Sequence, residues 1–180
     1  LSLHDALPIS TGREVGKQFG KKFGSRITQV YLPYDTPAAM RKFIRQTQPS
    51  LCLLMETEVW PNLTYAAKQA GLPVVLANAR LSQKSLDKGK KVGNLIRDAM
   101  SRLTLTLAQS EEDAIRLKES GCREVRVLGN LKFDYEPNPV HVRTGREIRK
   151  LSERKILTFA SSREGEEACM LTALKKAKAN

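Results

Sequence analysis

The chain has 180 residues, 41% hydrophobic and 28% charged, which is the composition of a folded protein of one domain or parts of two and excludes a disordered or fibrous chain. Its 31 basic and 19 acidic side chains give a formal charge of +12, so an anionic partner is expected. The excess is spread out, with 13 basic and 6 acidic groups in residues 1–90 (+7) and 18 and 13 in residues 91–180 (+5), so no single basic tail accounts for it.

Residues 1–9, LSLHDALPI, have neither clean periodicity nor a charged leader before a long apolar core, and read as a non-native or truncated leader rather than a signal peptide. Arg13–Phe23 predicts a helix with Val15, Phe19 and Phe23 on one face, ended by Gly24. Ile27–Leu32 predicts a strand that enters Pro33-Tyr34-Asp35. Thr36 then caps a helix beginning at Pro37, with Met40, Phe43 and Ile44 inward and Pro49 as its stop.

Leu51–Met55 is an apolar run of the length of a buried parallel strand, and it ends in Glu56, Glu58 and then Trp60-Pro61-Asn62. Open α/β sheets place their ligand sites at such strand ends. The two glutamates are therefore read either as part of a site or as the first solvated residues of a loop, since a carboxylate is costly to leave unpaired in an apolar layer. A helix from Pro61 faces Leu63, Ala66, Ala67 and Ala70 inward and ends at Gly71. Pro73–Ala77 is a third strand, running into Asn78, Arg80 and Ser82, and Val92–Arg102 carries apolar residues at helical spacing. Leu103–Ala108 is a fourth strand, ending at Gln109. Ser110 followed by three acidic residues opens a helix that reaches Gly121, and Val125–Leu128 is a fifth strand.

Strands alternating with helices through crossovers of about ten to twenty residues indicate an α/β fold with a parallel sheet covered on both faces. Tyr135–Val140, YEPNPV, reads as a linker. Beyond it Arg146–Leu151 predicts a basic helix, Ile156–Ala160 a strand, and SSREGEE leads into a helix with a basic run at Lys175, Lys176 and Lys178. One strand and two helices cannot bury a core unaided, so this second domain is expected to be a truncated piece.

Cys52, Cys122 and Cys169 are far apart and odd in number, and Cys52 reads as a core residue of a chain kept in a reducing compartment. No run reaches the roughly 18 apolar residues of a membrane span. His4 and His141 belong to no ligand cluster, and no GxGxxG, Walker A, CxxC or GxSxG string occurs, so neither a metal nor a cofactor is predicted. No zinc-finger spacing or RNP-type aromatic pair points to nucleic acid. Glu56, Glu58, Asn78, Arg80, Gln109, Asn130, Lys132 and Asp134 all fall at or just beyond predicted strand ends. There a carboxylate could orient a hydroxyl nucleophile, and a cation could neutralise a leaving phosphate. Gly129–Asp134 reads equally as a simple turn and short strand with a solvated lysine. Ser161, Ser162, Arg163, Glu164, Gly165 and Glu166 read either as an anion site at a helix start or as an ordinary capped helix.

Six strings, VYLPYD (Val30–Asp35), METEVWPN (Met55–Asn62), NARLS (Asn78–Ser82), AQSEED (Ala108–Asp113), GNLKFD (Gly129–Asp134) and SSREGEE (Ser161–Glu167), together resemble the 3-deoxy-D-manno-octulosonic acid (Kdo) transferase family of lipopolysaccharide assembly, in the family's order. The resemblance covers nearly all of the chain from Ser10 onward. It implies a GT-B glycosyltransferase with two Rossmann-like domains. Residues 10–134 would be the later part of the acceptor-side N-terminal domain, 135–142 the linker and 143–180 the start of the CMP-sugar-binding domain. It further implies inverting transfer of Kdo from CMP-Kdo to the lipid A precursor (lipid IVA) at the cytoplasmic face of the inner membrane, whose anionic surface suits the charge. Glu56 and Lys132 fall on the family's transition-state stabilisers. Glu58, Asn78, Arg80 and residues 161–166 are assigned to substrate binding. The family's general base is another glutamate, in a glycine-rich loop with no counterpart in this sequence, so the chain alone is expected to be inactive. Where the family has histidine before EGEE, this chain has Arg163.

Overall fold

The computed structural model of the protein describes Lys21, Gly24, residues 30–151, Glu153 and residues 155–178. Residues 1–9, nearly all of the expected helix Arg13–Phe23 and the first part of the expected strand Ile27–Leu32 lie outside the described residues. The chain divides into two compact units, Leu1–Asp134 and Tyr135–Asn180.

The first unit runs α1 (Pro37–Thr47), β1 (Cys52–Met55), α2 (Pro61–Gln69), β2 (Val74–Ala79), α3 (Gln83–Val92), α4 (Asn94–Ser101), β3 (Leu105–Ala108), α5 (Glu111–Glu119) and β4 (Val125–Val127). The four strands form one sheet in the order β1-β2-β3-β4, every pair parallel. Because right-handed crossovers that always step the same way stack their helices on one side, the helices share one face of the sheet. That face carries Val74, Leu76, Thr106 and Ala108, all buried. Against it pack Leu63, Ala66 and Ala67 of α2, Leu86 of α3, Met100 of α4 and Ala114 and Leu117 of α5, while Met40 and Ile44 of α1 complete the core. Alternation puts Leu53 and Met55 on the opposite face, where they are 57% and 41% exposed. Where the sequence predicts a sheet covered on both faces, the described helices cover one.

Three helix starts of this unit have a local side-chain cap. The Thr36 hydroxyl accepts from the Ala39 N–H, with Pro37 as the first helical residue. The Ser82 and Ser110 hydroxyls accept from the Ser85 and Asp113 N–H groups. The predicted helix Val92–Arg102 is α4, and an unpredicted helix, α3, precedes it, the two separated at Gly93, which takes φ 78, ψ −147, a conformation that only glycine adopts readily. The first of these, α3, buries only Leu86, so its apolar stripe is too thin to show as periodicity.

The second unit holds α6 (Pro139–Lys150) and α7 (Glu166–Lys178). α6 begins at Pro139 instead of Arg146, because Asn138 caps it through its side chain and Pro139 supplies a φ already suited to a first turn. The predicted strand Ile156–Ala160 takes no ladder among the described residues, since no second strand of that unit is there to pair with it. Among the described residues no helix is long and apolar enough to cross a membrane.

The one-sided core makes a contrast in stability measurable. Leu76 is 0% exposed, so Leu76→Ala is expected to cost about 2–5 kcal/mol. Leu53→Ala, on the open face, is expected to cost less than about 1 kcal/mol. Urea unfolding of the chain followed by its single tryptophan, Trp60, measures both.

Candidate functional site

Four loops meet at the carboxyl end of the sheet. After β1 the chain turns through Glu56, which takes a left-handed φ of 57 while its N–H continues the ladder to the Ala77 carbonyl at 2.9 Å. The Glu58 carboxylate accepts from the Trp60 indole N–H at 3.1 Å. The helix that follows, α2, has Trp60 at its cap position and so lacks a local side-chain cap. Asp35 supplies one from 27 residues away. Its carboxylate accepts from the Asn62 N–H at 3.0 Å and the Leu63 N–H at 2.9 Å, and its carbonyl accepts from Asn62 Nδ2 at 2.7 Å. The VYLPYD and METEVWPN strings are thus pinned together, with Glu56 and Glu58 on the segment between β1 and the anchored helix.

After β2, Arg80 donates to the Glu56 carboxylate at 3.0 Å, with the two side chains 61% and 46% exposed. The residue between Arg80 and Ser82 is held at both ends. The Leu81 N–H donates to Asp113 Oδ1 at 2.9 Å, and the Leu81 carbonyl accepts from Arg116 Nε. Asp113 and Arg116 are themselves paired at 3.0 Å, and the Ser110 hydroxyl donates to Asp113 at 2.9 Å. Burial alone would push the Asp113 carboxyl up, but hydrogen bonds from Leu81, Arg116 and Ser110 outweigh it and hold the group below its ordinary value of 3.8.

After β4, Gly129 at φ 88 reverses the chain into a 3-10 turn, Leu131–Asp134, in place of the short strand that was one reading of this string. β1 and β4 lie at opposite edges of the described sheet, so the strands that precede Glu56 and Lys132 are not neighbours. The turn nevertheless folds back across β3. The Leu131 N–H donates to Asn78 Oδ1 at 3.2 Å, and Asn130 Nδ2 donates to Gln109 Oε1 at 2.7 Å. Lys132 and Asp134 are exposed, and the Lys132 ammonium lies 5.3 Å from the centre of the Phe133 ring. Glu56, Arg80, Asn78 and the Lys132 turn thus belong to one end of one sheet.

The residues of the second unit form their own cluster. Ser161 takes φ 60, the Arg163 N–H donates to the Glu166 carboxylate at 3.0 Å, and the Ser162 hydroxyl donates to Glu167. That last bond holds the Glu167 carboxyl below its usual value. Glu164 and Gly165 are exposed beside them, Gly165 at φ 90. Asp35, Asn62, Asp113 and Arg116 were not singled out from the sequence. Asp113 and Arg116 could have been found by their i, i+3 spacing, whereas no local signal announces the cap that Asp35 gives to α2.

A parallel sheet with charged and amide side chains gathered at its carboxyl end is the Rossmann-like kind of domain that glycosyltransferases use. Comparison with known proteins makes this specific. Residues 6–135 match the family model described as 3-Deoxy-D-manno-octulosonic-acid transferase (kdotransferase), and the chain belongs to that family. It is 39% identical over 167 residues to the 3-deoxy-D-manno-octulosonic acid transferase of Bordetella pertussis, covering 92% of this chain and 39% of that protein. It is 34% identical over 145 residues to the protein of the same name from Haemophilus influenzae, covering 78% of this chain and 34% of that one. A bifunctional glycosyltransferase/methyltransferase of Fusobacterium nucleatum is 28% identical over 158 residues, covering 85% of this chain and 25% of that protein. The chain therefore spans well under half the length of these relatives.

The Asp113 clamp predicts how the first unit responds to acid. A carboxyl held below its ordinary value contributes stability that is complete above pH 3.8 and is lost as the pH falls through the folded value. Asp113→Asn is expected to cost about 1–3 kcal/mol at neutral pH. The gap in urea midpoint between parent and variant should close as the pH falls below 3.8, and a gap that stays constant would remove the clamp from the account of acid stability.

Proposed function

We propose that the protein to which this chain belongs is an inverting glycosyltransferase that moves Kdo from CMP-Kdo to a lipid A precursor. The observation that carries this reading is the return of the Lys132 turn to β2, which gathers Glu56, Arg80 and Lys132 at the carboxyl end of one sheet in a chain of this family. In such a transfer an acceptor hydroxyl attacks the anomeric carbon, the bond from that carbon to the phosphate oxygen breaks, and CMP leaves. Positive charge develops on the sugar and negative charge on the phosphate. Glu56 answers the first and Lys132 the second, and Glu58, Asn78 and Arg80 bind the substrates. A base from elsewhere in the protein, in the family a glutamate of a glycine-rich loop, takes the hydroxyl proton.

The Glu56–Arg80 pair does not stand against this role. An ion pair this exposed is worth about 0–1 kcal/mol. Removing one hydrogen-bond donor aimed at a transition-state charge costs about 2.7–4 kcal/mol, a scale on which substrate can open the pair at small cost. The second unit is read as the start of the CMP-sugar-binding domain, with Ser161, Ser162, Arg163, Glu164, Gly165 and Glu166 on the donor. For the Arg163 and Ser162 donors to reach it, the Glu166 and Glu167 carboxylates must give them up. The +12 charge suits a phosphorylated glycolipid at the cytoplasmic face of an anionic inner membrane.

The whole protein, incubated with CMP-Kdo and a tetra-acylated lipid A precursor, is expected to release CMP and to ignore UDP- and GDP-sugars. No CMP release from active membranes would end the reading. Glu56→Ala and Lys132→Ala are each expected to lower turnover at least about 10-fold, and a near-normal rate removes that residue from the mechanism.

A further inference from the structure

Gln109, the first residue past β3, stands between two of the loops that build the site. Its backbone N–H extends the ladder to the Ala79 carbonyl at 2.9 Å. Its side-chain amide then does two things. Nε2 donates to the Asn78 carbonyl at 2.8 Å, and Oε1 accepts from Asn130 Nδ2 at 2.7 Å. Asn130 Oδ1 in turn accepts from the Lys132 N–H at 3.0 Å, and Asn78 Oδ1 accepts from the Leu131 N–H at 3.2 Å. The bonds close a ring from Asn78 through Gln109 and Asn130 to the Leu131-Lys132 backbone and back to Asn78.

The direction of every amide in this ring is determined. A backbone carbonyl can only accept, so the end of Gln109 that meets Asn78 must be the nitrogen. A backbone N–H can only donate, so Asn130 must turn its oxygen to Lys132 and its nitrogen to Gln109. Gln109 is half-buried, and Asn78 holds a left-handed φ of 51 where the β2–β3 register shifts. Position 109 therefore needs a side chain of this length with a donor and an acceptor at its tip. Glutamate has the length without the donor, and methionine has the length with neither.

We propose that Gln109 is a positioning residue for Lys132, setting the 129–134 turn over the ends of β2 and β3 so that the lysine faces the reacting centre. This rests on the reading that Lys132 acts in turnover. It goes beyond that reading in assigning to an amide that touches no substrate the task of holding the lysine in place.

The test uses the whole transferase with CMP-Kdo and a lipid A precursor, comparing Gln109→Met, Lys132→Ala and the double variant. Gln109→Met is expected to lower kcat about 10-fold with KM changed less than about 3-fold, and to add less than about 2-fold in the Lys132→Ala background. Amide hydrogen exchange at Leu131 and Lys132 should speed up at least about 10-fold in Gln109→Met, whatever the activity. Gln109→Glu keeps the shape and guards against a folding defect. Its deficit is expected to be largest near pH 8 and to shrink toward about pH 5.5, where a carboxyl facing a carbonyl oxygen regains a proton to donate. A normal Gln109→Met kcat beside an impaired Lys132→Ala overturns the positioning role and leaves the catalytic reading standing. Effects that simply multiply in the double variant, exchange rates that do not change, or a Gln109→Glu deficit that is flat with pH each overturn it as well. A normal Lys132→Ala overturns both.

Discussion

Where the four parallel strands end, the ladder stops while the backbone still carries donors and acceptors, and the protein meets them with side chains. Gln109 takes the Asn78 carbonyl, Asp113 and Arg116 take the two ends of Leu81, and Asp35 takes the first N–H groups of α2. A partly buried polar group left without a partner costs about 1–3 kcal/mol, so these bonds are obligations of the fold before they are parts of a site. Their by-product is order: the loops after β2, β3 and β4 are tied to one another, while the loop after β1 is anchored to Asp35 and meets Arg80 through the Glu56 pair. The exposed charges Glu56, Arg80 and Lys132 then ride on loops whose positions are already fixed.

This explains what the sequence disclosed and what it withheld. Apolar runs and local caps are short-range signals, and they located β1, β2, β3, α1, α2 and α5 to within a few residues. The Asp35 cap and the Gln109 ring join residues 21 to 53 positions apart, and no periodicity records a bond of that kind. Helix α3 escaped notice because a helix that buries one leucine has almost no stripe. Ile156–Ala160 read as a strand because its composition is that of one, yet a strand is a relation between two segments and the described residues of its unit offer no second. The site charges were legible for a simple reason: a charged residue directly after an apolar run is visible in one dimension. Of the residues that hold those charges in place, Asn78, Gln109 and Asn130 were legible as strand-end residues, but the bonds among them, and the parts of Asp35, Asp113 and Arg116, were not.

Among the described residues the two units differ in how much of their apolar surface is buried. The first has a buried core spanning helices and sheet, from Met40 to Cys122. The second shows Ile148, Leu151, Ile156, Leu157 and Leu171 all more than half exposed. An apolar surface of this kind is one that other protein or a ligand covers.

The shift in register between Leu76 and Ala79 has one more implication. Strand β2 has an extra residue there relative to β3, and the alternation of its side chains changes phase as it passes Asn78. Counted from Val74 without interruption, Arg80 would point at the helices and Ala79 at the open side. Instead Ala79 and Leu81 are buried and Arg80 emerges beside Glu56. If the strand ran on without accommodating that extra residue, a methyl group would replace the guanidinium at the mouth of the site, whereas deleting one residue from the stretch would remove the bulge and leave Ala79 and Arg80 on the sides they now hold.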